Sequence, residues 1–73
     1  MKQNRETKRR AKLTDGVIAL RAEMSGQHPI IERDYVVADL LTDLRHYCDA
    51  HDLDFADLDR RAYGNYTAEK GGL

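Results

Sequence analysis

The chain has 73 residues, 34% of them charged and 41% hydrophobic, with a single cysteine, a single proline, no tryptophan and a formal net charge of −1. A chain of this length makes one small domain that buries only about 60% of its unfolded surface, so a partner subunit or another staple is expected to complete it. Cys48 alone excludes an internal disulfide and points to a reducing compartment, there is no apolar run of about 18 residues for a membrane span, and the basic start lacks the apolar segment of a secretory signal, so the expected location is the cytoplasm.

The charge is unevenly spread. Residues 1–12, MKQNRETKRRAK, hold Lys2, Arg5, Lys8, Arg9, Arg10 and Lys12 against Glu6, a net +5, and the remainder is −6. With no apolar residue between Met1 and Ala11, this segment has good helix formers but nothing to bury. Its helicity is marginal in isolation, and it reads as a flexible basic arm, disordered or frayed, or helical where it runs into the next segment. Such an arm is a solubilising tail or a binder of nucleic-acid phosphates. No aromatic residue is interleaved for base stacking.

Leu13 to Met24, LTDGVIALRAEM, is the first packed element. Leu13, Val17, Leu20 and Met24 recur at steps of 4, 3 and 4, and Ile18 extends the stripe. This spacing is that of a helix packed on another helix. Thr14 or Asp15 can cap its start, or the helix begins near Asn4 and Gly16 is an internal weak point; the sequence leaves both open. Gly26 is placed to end the helix. Pro29 suits the first position of a second helix, with Ile30 and Ile31 following; alternatively 29–33 is a lead-in and Asp34 the cap.

Tyr35 to His51, YVVADLLTDLRHYCDAH, is the longest periodic segment. Val37, Leu41, Leu44 and Cys48 form its stripe, Val36, Leu40 and Tyr47 widen it, and Asp39, Asp43 and His46 fall on the other side. The HDLD stretch ends it, with Leu53 expected to plug the corner. Asp54 then reads as an N-cap with Asp57 in the first turn. Phe55, Leu58, Ala62 and Tyr66 form the stripe of a third helix, which Lys70-Gly-Gly stops.

Two carboxylates and an imidazole at Asp39, Asp43 and His46 are metal-ligand types. They lie within about 60° on one helix, and a site would need a ligand from a second element, His28 or His51. The simpler reading is a solvated polar face. The run Asp49, Asp52, Asp54, Asp57, Asp59 lacks the calcium-loop spacing. Cys48 has His51 nearby, but the surroundings are acidic and the thiol reads as a buried structural one. Tyr47 and Tyr66 fit core stripes, while Tyr35 and Tyr63 suit a core edge or an interface. There is no Gly-rich phosphate loop, H-E-x-x-H, C-x-x-C or nucleophile elbow, and no cofactor is read.

The segment VVADLLTDLRHYCDAHDLDF resembles a conserved helix of the all-α NTP pyrophosphatases of the MazG and phosphoribosyl-ATP pyrophosphohydrolase types. Those enzymes hold magnesium with E-E-x-x-E on one helix and E-x-x-D on the next. Asp39 matches the final Asp; Val36 stands where the Glu belongs, and the preceding helix offers only Glu23. The resemblance covers about a third of the chain and implies a helical, oligomerising fold without the complete catalytic set. A degenerate magnesium-dependent pyrophosphatase using Asp39 and Asp43 is the enzymatic alternative it implies. The short format, basic start and polar helices are similar in style to small phage and plasmid proteins, anti-CRISPR inhibitors among them.

The expectation is an all-α fold: a basic arm over 1–12, one domain over 13–70 with helices at about 13–25, 30–50 and 54–68 in an antiparallel bundle, and a loose tail at 71–73. The central stripe is wide for two short partners, so a homodimer is expected, with Ile30, Ile31, Tyr35, Val37, Leu41 and Tyr63 at its interface. The functional expectation is a non-enzymatic interaction module with an unidentified protein partner. The alternative is nucleic-acid binding through Lys2, Arg5, Lys8, Arg9, Arg10 and Lys12.

Overall fold

Asn4 starts the first helix. Its side-chain oxygen accepts the Thr7 N–H at 2.8 Å, capping α1, Arg5–Ser25. A computed structural model of the chain describes residues 4–71 and contains α1, α2 (Arg33–Ala50) and α3 (Phe55–Lys70), with contacts between every pair. The fold is all-α, as the periodicity requires.

The basic segment is not a flexible arm where it is described: residues 5–12 are the first turns of α1. Three local and tertiary contacts offset the weak helicity of an isolated segment. Asn4 caps the free N–H groups. Glu6 pairs with Arg9 at 2.7 Å and Arg10 at 2.8 Å along the helix surface. The Asn4 amide also donates to the last carbonyls of α3, Glu69 at 3.2 Å and Lys70 at 2.6 Å, and Arg10 pairs with Glu69 at 2.7 Å. One side chain thus satisfies the start of one helix and the end of another. Lys2 and the last two residues of the expected tail lie outside the described residues.

Gly26 ends α1 at φ 72°, a left-handed conformation that glycine adopts without a Cβ penalty. The Gln27 N–H reaches back to the Ala22 carbonyl at 2.8 Å and the Gly26 N–H to Glu23 at 3.3 Å, the paired bonds of a Schellman motif. In the turn that follows, His28 Nδ1 accepts the N–H groups of Ile30 and Ile31, both at 3.1 Å, and Glu32 reaches back to the His28 N–H at 3.2 Å. Pro29 therefore opens a helical turn, as its missing donor favours. That turn is separate from α2, which starts at Arg33 and not at residue 30.

α2 ends with Asp52 at φ 56°, and the Leu53 N–H returns to the Cys48 carbonyl at 2.8 Å. Asp54 caps α3 by accepting the Asp57 N–H at 3.2 Å, as its position before Phe55 leads one to expect. Asp57 then holds Arg60 at 2.8 Å and Arg61 at 3.2 Å. The Arg45 guanidinium lies 4.3 Å from the centre of the Phe55 ring, joining α2 to α3.

Among the described residues the buried hydrophobic set is Ala22, Val36 and Cys48. The expected core stripes are largely outside it: Val37, Leu41, Leu44, Tyr47 and Tyr66 are exposed, and so are Leu13, Val17, Leu20 and Met24. The Cα positions extend 35 × 32 × 16 Å, and the radius of gyration is 13.9 Å, against about 11 Å for a compact chain of this length. The helices form a thin plate. Most domains bury their apolar faces between two layers; here one layer is present.

Candidate interaction surface

α1 turns a small and polar side toward its neighbours. Ala22 is buried, Ile18 half-buried, and Arg21 reaches across to Asp43 of α2. Gln27, just past α1, donates to Asp39 of α2 at 3.0 Å and accepts from Ser25 at 2.7 Å. Small residues let the helix backbones approach, and the polar groups fix their register. The Arg21 pKa is raised, chiefly by the hydrogen bond to Asp43. The Glu6 carboxyl is held below its ordinary range by the hydrogen bonds from Arg9 and Arg10. Arg10 is raised in turn by the hydrogen bond to Glu6 and the charge of Glu69.

The proposed metal ligands are thus engaged otherwise. Asp43 binds Arg21 and Asp39 binds Gln27, while His46 is exposed on the same helix. Among the described residues, no three His, Cys, Asp or Glu side chains lie together so as to hold an ion. Val36, at the position where the pyrophosphatase motif carries Glu, is completely buried. Cys48 is a buried free thiol, and the ring of His51 packs 4.3 Å from that of Tyr47.

The expected interface residues fare differently. Ile30, Ile31, Val37 and Leu41 come together along a shallow groove of about 580 Å³ that also includes Ala38. Ile30 and Val37 continue into a second cleft of about 350 Å³ against Ile18, Ala19 and Pro29. The two clefts share Ile30, Arg33 and Val37 and form one apolar surface across α1, the turn and α2. Asp15, Arg33 and Asp34 also line it. Tyr35 and Tyr63 are exposed but line neither cleft; Tyr63 lies 6.3 Å from Tyr66 on α3. Ile18 and Pro29 were not foreseen as lining residues. Pro29 carries no periodic signal, and the position of Ile18 depends on how α1 rotates against α2.

Comparison of the chain with family models, curated proteins and solved structures finds no match.

A third surface is the basic start of α1. Arg5, Lys8, Arg9 and Lys12 fall within about 100° on the helix, and all four are exposed. Among the described residues, Arg9 pairs with Glu6, and Arg5, Lys8 and Lys12 have no ion-pair partner. Arg10 points elsewhere, to Glu6 and Glu69. No helix among the described residues is long and apolar enough to cross a membrane.

Proposed function

We propose that this protein is a non-enzymatic interaction module, a small regulator or inhibitor that acts by seating part of another protein on the groove of Ile18, Ile30, Ile31, Val37 and Leu41. The observation that carries this reading is the groove itself: aliphatic, largely exposed, and lined by both signs of charge as well. Water against such a surface is released when it is covered, at about 25 cal/mol per Å² of apolar area. The occupant it suits is an amphipathic helix with aliphatic anchors one turn apart and polar flanks to meet Asp15, Arg33 and Asp34. The likeness in size and style to small inhibitors of mobile elements fits a protein that works by occupying a surface. The test is affinity capture from a nuclease-treated lysate with the wild-type chain and with I30E/V37E. A protein retained by the wild type and lost with the folded variant supports the groove; equal retention by both rejects it.

The ordered basic stripe favours a second reading, nucleic-acid binding through Arg5, Lys8, Arg9 and Lys12. Four phosphate contacts predict a slope of log affinity on log salt of about −3 to −4 for duplex DNA. Replacement of the four residues by alanine then abolishes binding. Salt-insensitive binding, or none at low salt, rejects this reading.

A further inference from the structure

We infer that a second copy of this chain covers the outer stripe of α1, with the two α1 helices antiparallel about a two-fold axis between Val17 and Leu20. Leu13, Val17, Leu20 and Met24 are 62%, 51%, 58% and 77% exposed. Their 4, 3, 4 spacing is that of the a and d positions of a helix-on-helix seam, yet no helix among the described residues covers it.

The whole molecule exposes more surface than a folded monomer of its mass, and the stripe is one part of that surface. The accessible surface is 6320 Å², against about 4,600 Å² for a folded monomer of this mass, an excess of about 1,700 Å². Obligate homodimers bury about 2,000–5,000 Å² in total, or roughly 1,000–2,500 Å² per subunit. The excess, to which the groove contributes as well as the stripe, is of the size one subunit buries in such an interface.

Three features select a second copy as the occupant. The spacing 4, 3, 4 reads the same in both directions. A copy turned about the two-fold axis therefore sets Leu13 against Met24 of the other copy and Val17 against Leu20, a self-complementary interface of the kind closed symmetry demands. The net charge of −1 leaves little general repulsion between copies. The charge within α1 then sets the direction. Arg5, Lys8, Arg9, Arg10 and Lys12 crowd its first half against Glu6, while the second half holds Asp15, Arg21 and Glu23. Parallel pairing would lay two basic halves side by side; antiparallel pairing sends them to opposite ends.

The apolar residues of the shallow groove, Ile30, Ile31, Val37 and Leu41, follow at steps of 1, 6 and 4, which do not read the same in both directions, so they lack the self-matching register of the α1 stripe. The self-contact therefore belongs on α1 and not on residues 30–41. The inference does not rest on the groove reading, and the two surfaces are separable by mutation.

Sedimentation of the full chain tests it. The wild type and I30E/V37E are expected to run as dimers at high micromolar concentration. V17E and L20E each remove a central anchor and are expected to weaken self-association at least about 30-fold. A monomeric wild type, or a dimer that survives both stripe substitutions, overturns the proposal. Should V17E and L20E fail to fold, cysteine cross-linking decides. With a short bis-maleimide, L13C/M24C is expected to give a covalent dimer, whereas L13C and M24C singly, like the wild type with its buried Cys48, are not. Failure of the double variant to cross-link overturns the proposal, and cross-linking of either single variant to itself overturns the antiparallel direction.

Discussion

Gly26 and Asp52 occupy the same backbone region for the same purpose, and only one of them suits it. Both have positive φ, 72° and 56°, and both end a helix with N–H groups turned back on its last carbonyls. Glycine enters this region at no steric cost, whereas aspartate pays for its Cβ. G26A is therefore expected to lower stability by about 1 kcal/mol or more, and D52G to raise it by a few tenths to about 1 kcal/mol. Urea unfolding of the two variants checks both signs; a destabilised D52G would mean that the Asp52 side chain contributes something its backbone conformation does not reveal. Gly26 was legible as a stop because glycine at a helix end has few other uses. The HDLD stretch was legible as an end, but not as a left-handed aspartate, since that conformation goes with the return of the Leu53 N–H to the Cys48 carbonyl; the Leu53 side chain, expected to plug the corner, is exposed.

At the scale of the element, α1 is the instructive case. Its start at Asn4 was one of two readings open from the sequence, and the contacts that favour it include ones to residues about sixty positions away. Asn4 holds the Glu69 and Lys70 carbonyls, and Arg10 holds the Glu69 carboxylate while also meeting Glu6. The first turns of α1 should therefore be acid-sensitive. The Glu6 pKa is depressed from its ordinary 4.5 by Arg9 and Arg10. A depressed carboxyl contributes stability that is present above the unfolded value and lost as pH falls through the folded one. The protection of the residue 7–10 amides, as the exchange rate relative to the intrinsic rate at the same pH, is expected to hold above pH 4.5 and to fall below it, before the rest of α1 changes. Uniform acid behaviour along α1 would show that these ion pairs do not hold its start. The effect is modest, because both partners face water.

For the whole molecule, the deciding feature is the imbalance between buried and exposed apolar residues. Ala22, Val36 and Cys48 form a core too small for three helices, and large aliphatic side chains line both the groove and the outer stripe of α1. If association supplies the missing layer, folding and pairing are linked, and the melting temperature rises with chain concentration. The wild type is expected to show that rise and L20E to lose it. A melting temperature independent of concentration in the wild type would mean that the plate is stable alone.

The local chemistry was determined by the sequence: three helices from their periodicity, the Asp54 cap, the Gly26 stop, the buried Cys48. Each depends on residues a turn or two apart, where propensity and hydrogen bonding act without help from the rest of the chain. The orientation of the helices was decided only by the tertiary structure. A periodic stripe says that one face of a helix is apolar, not which neighbour covers it. In α1 the side that meets the chain's other helices is set by the polar reach of Asn4, Arg10 and Arg21 and by the small size of Ala22. The Leu13, Val17, Leu20 and Met24 stripe is left outside, because the register in which Arg21 meets Asp43 and Gln27 meets Asp39 rotates it away.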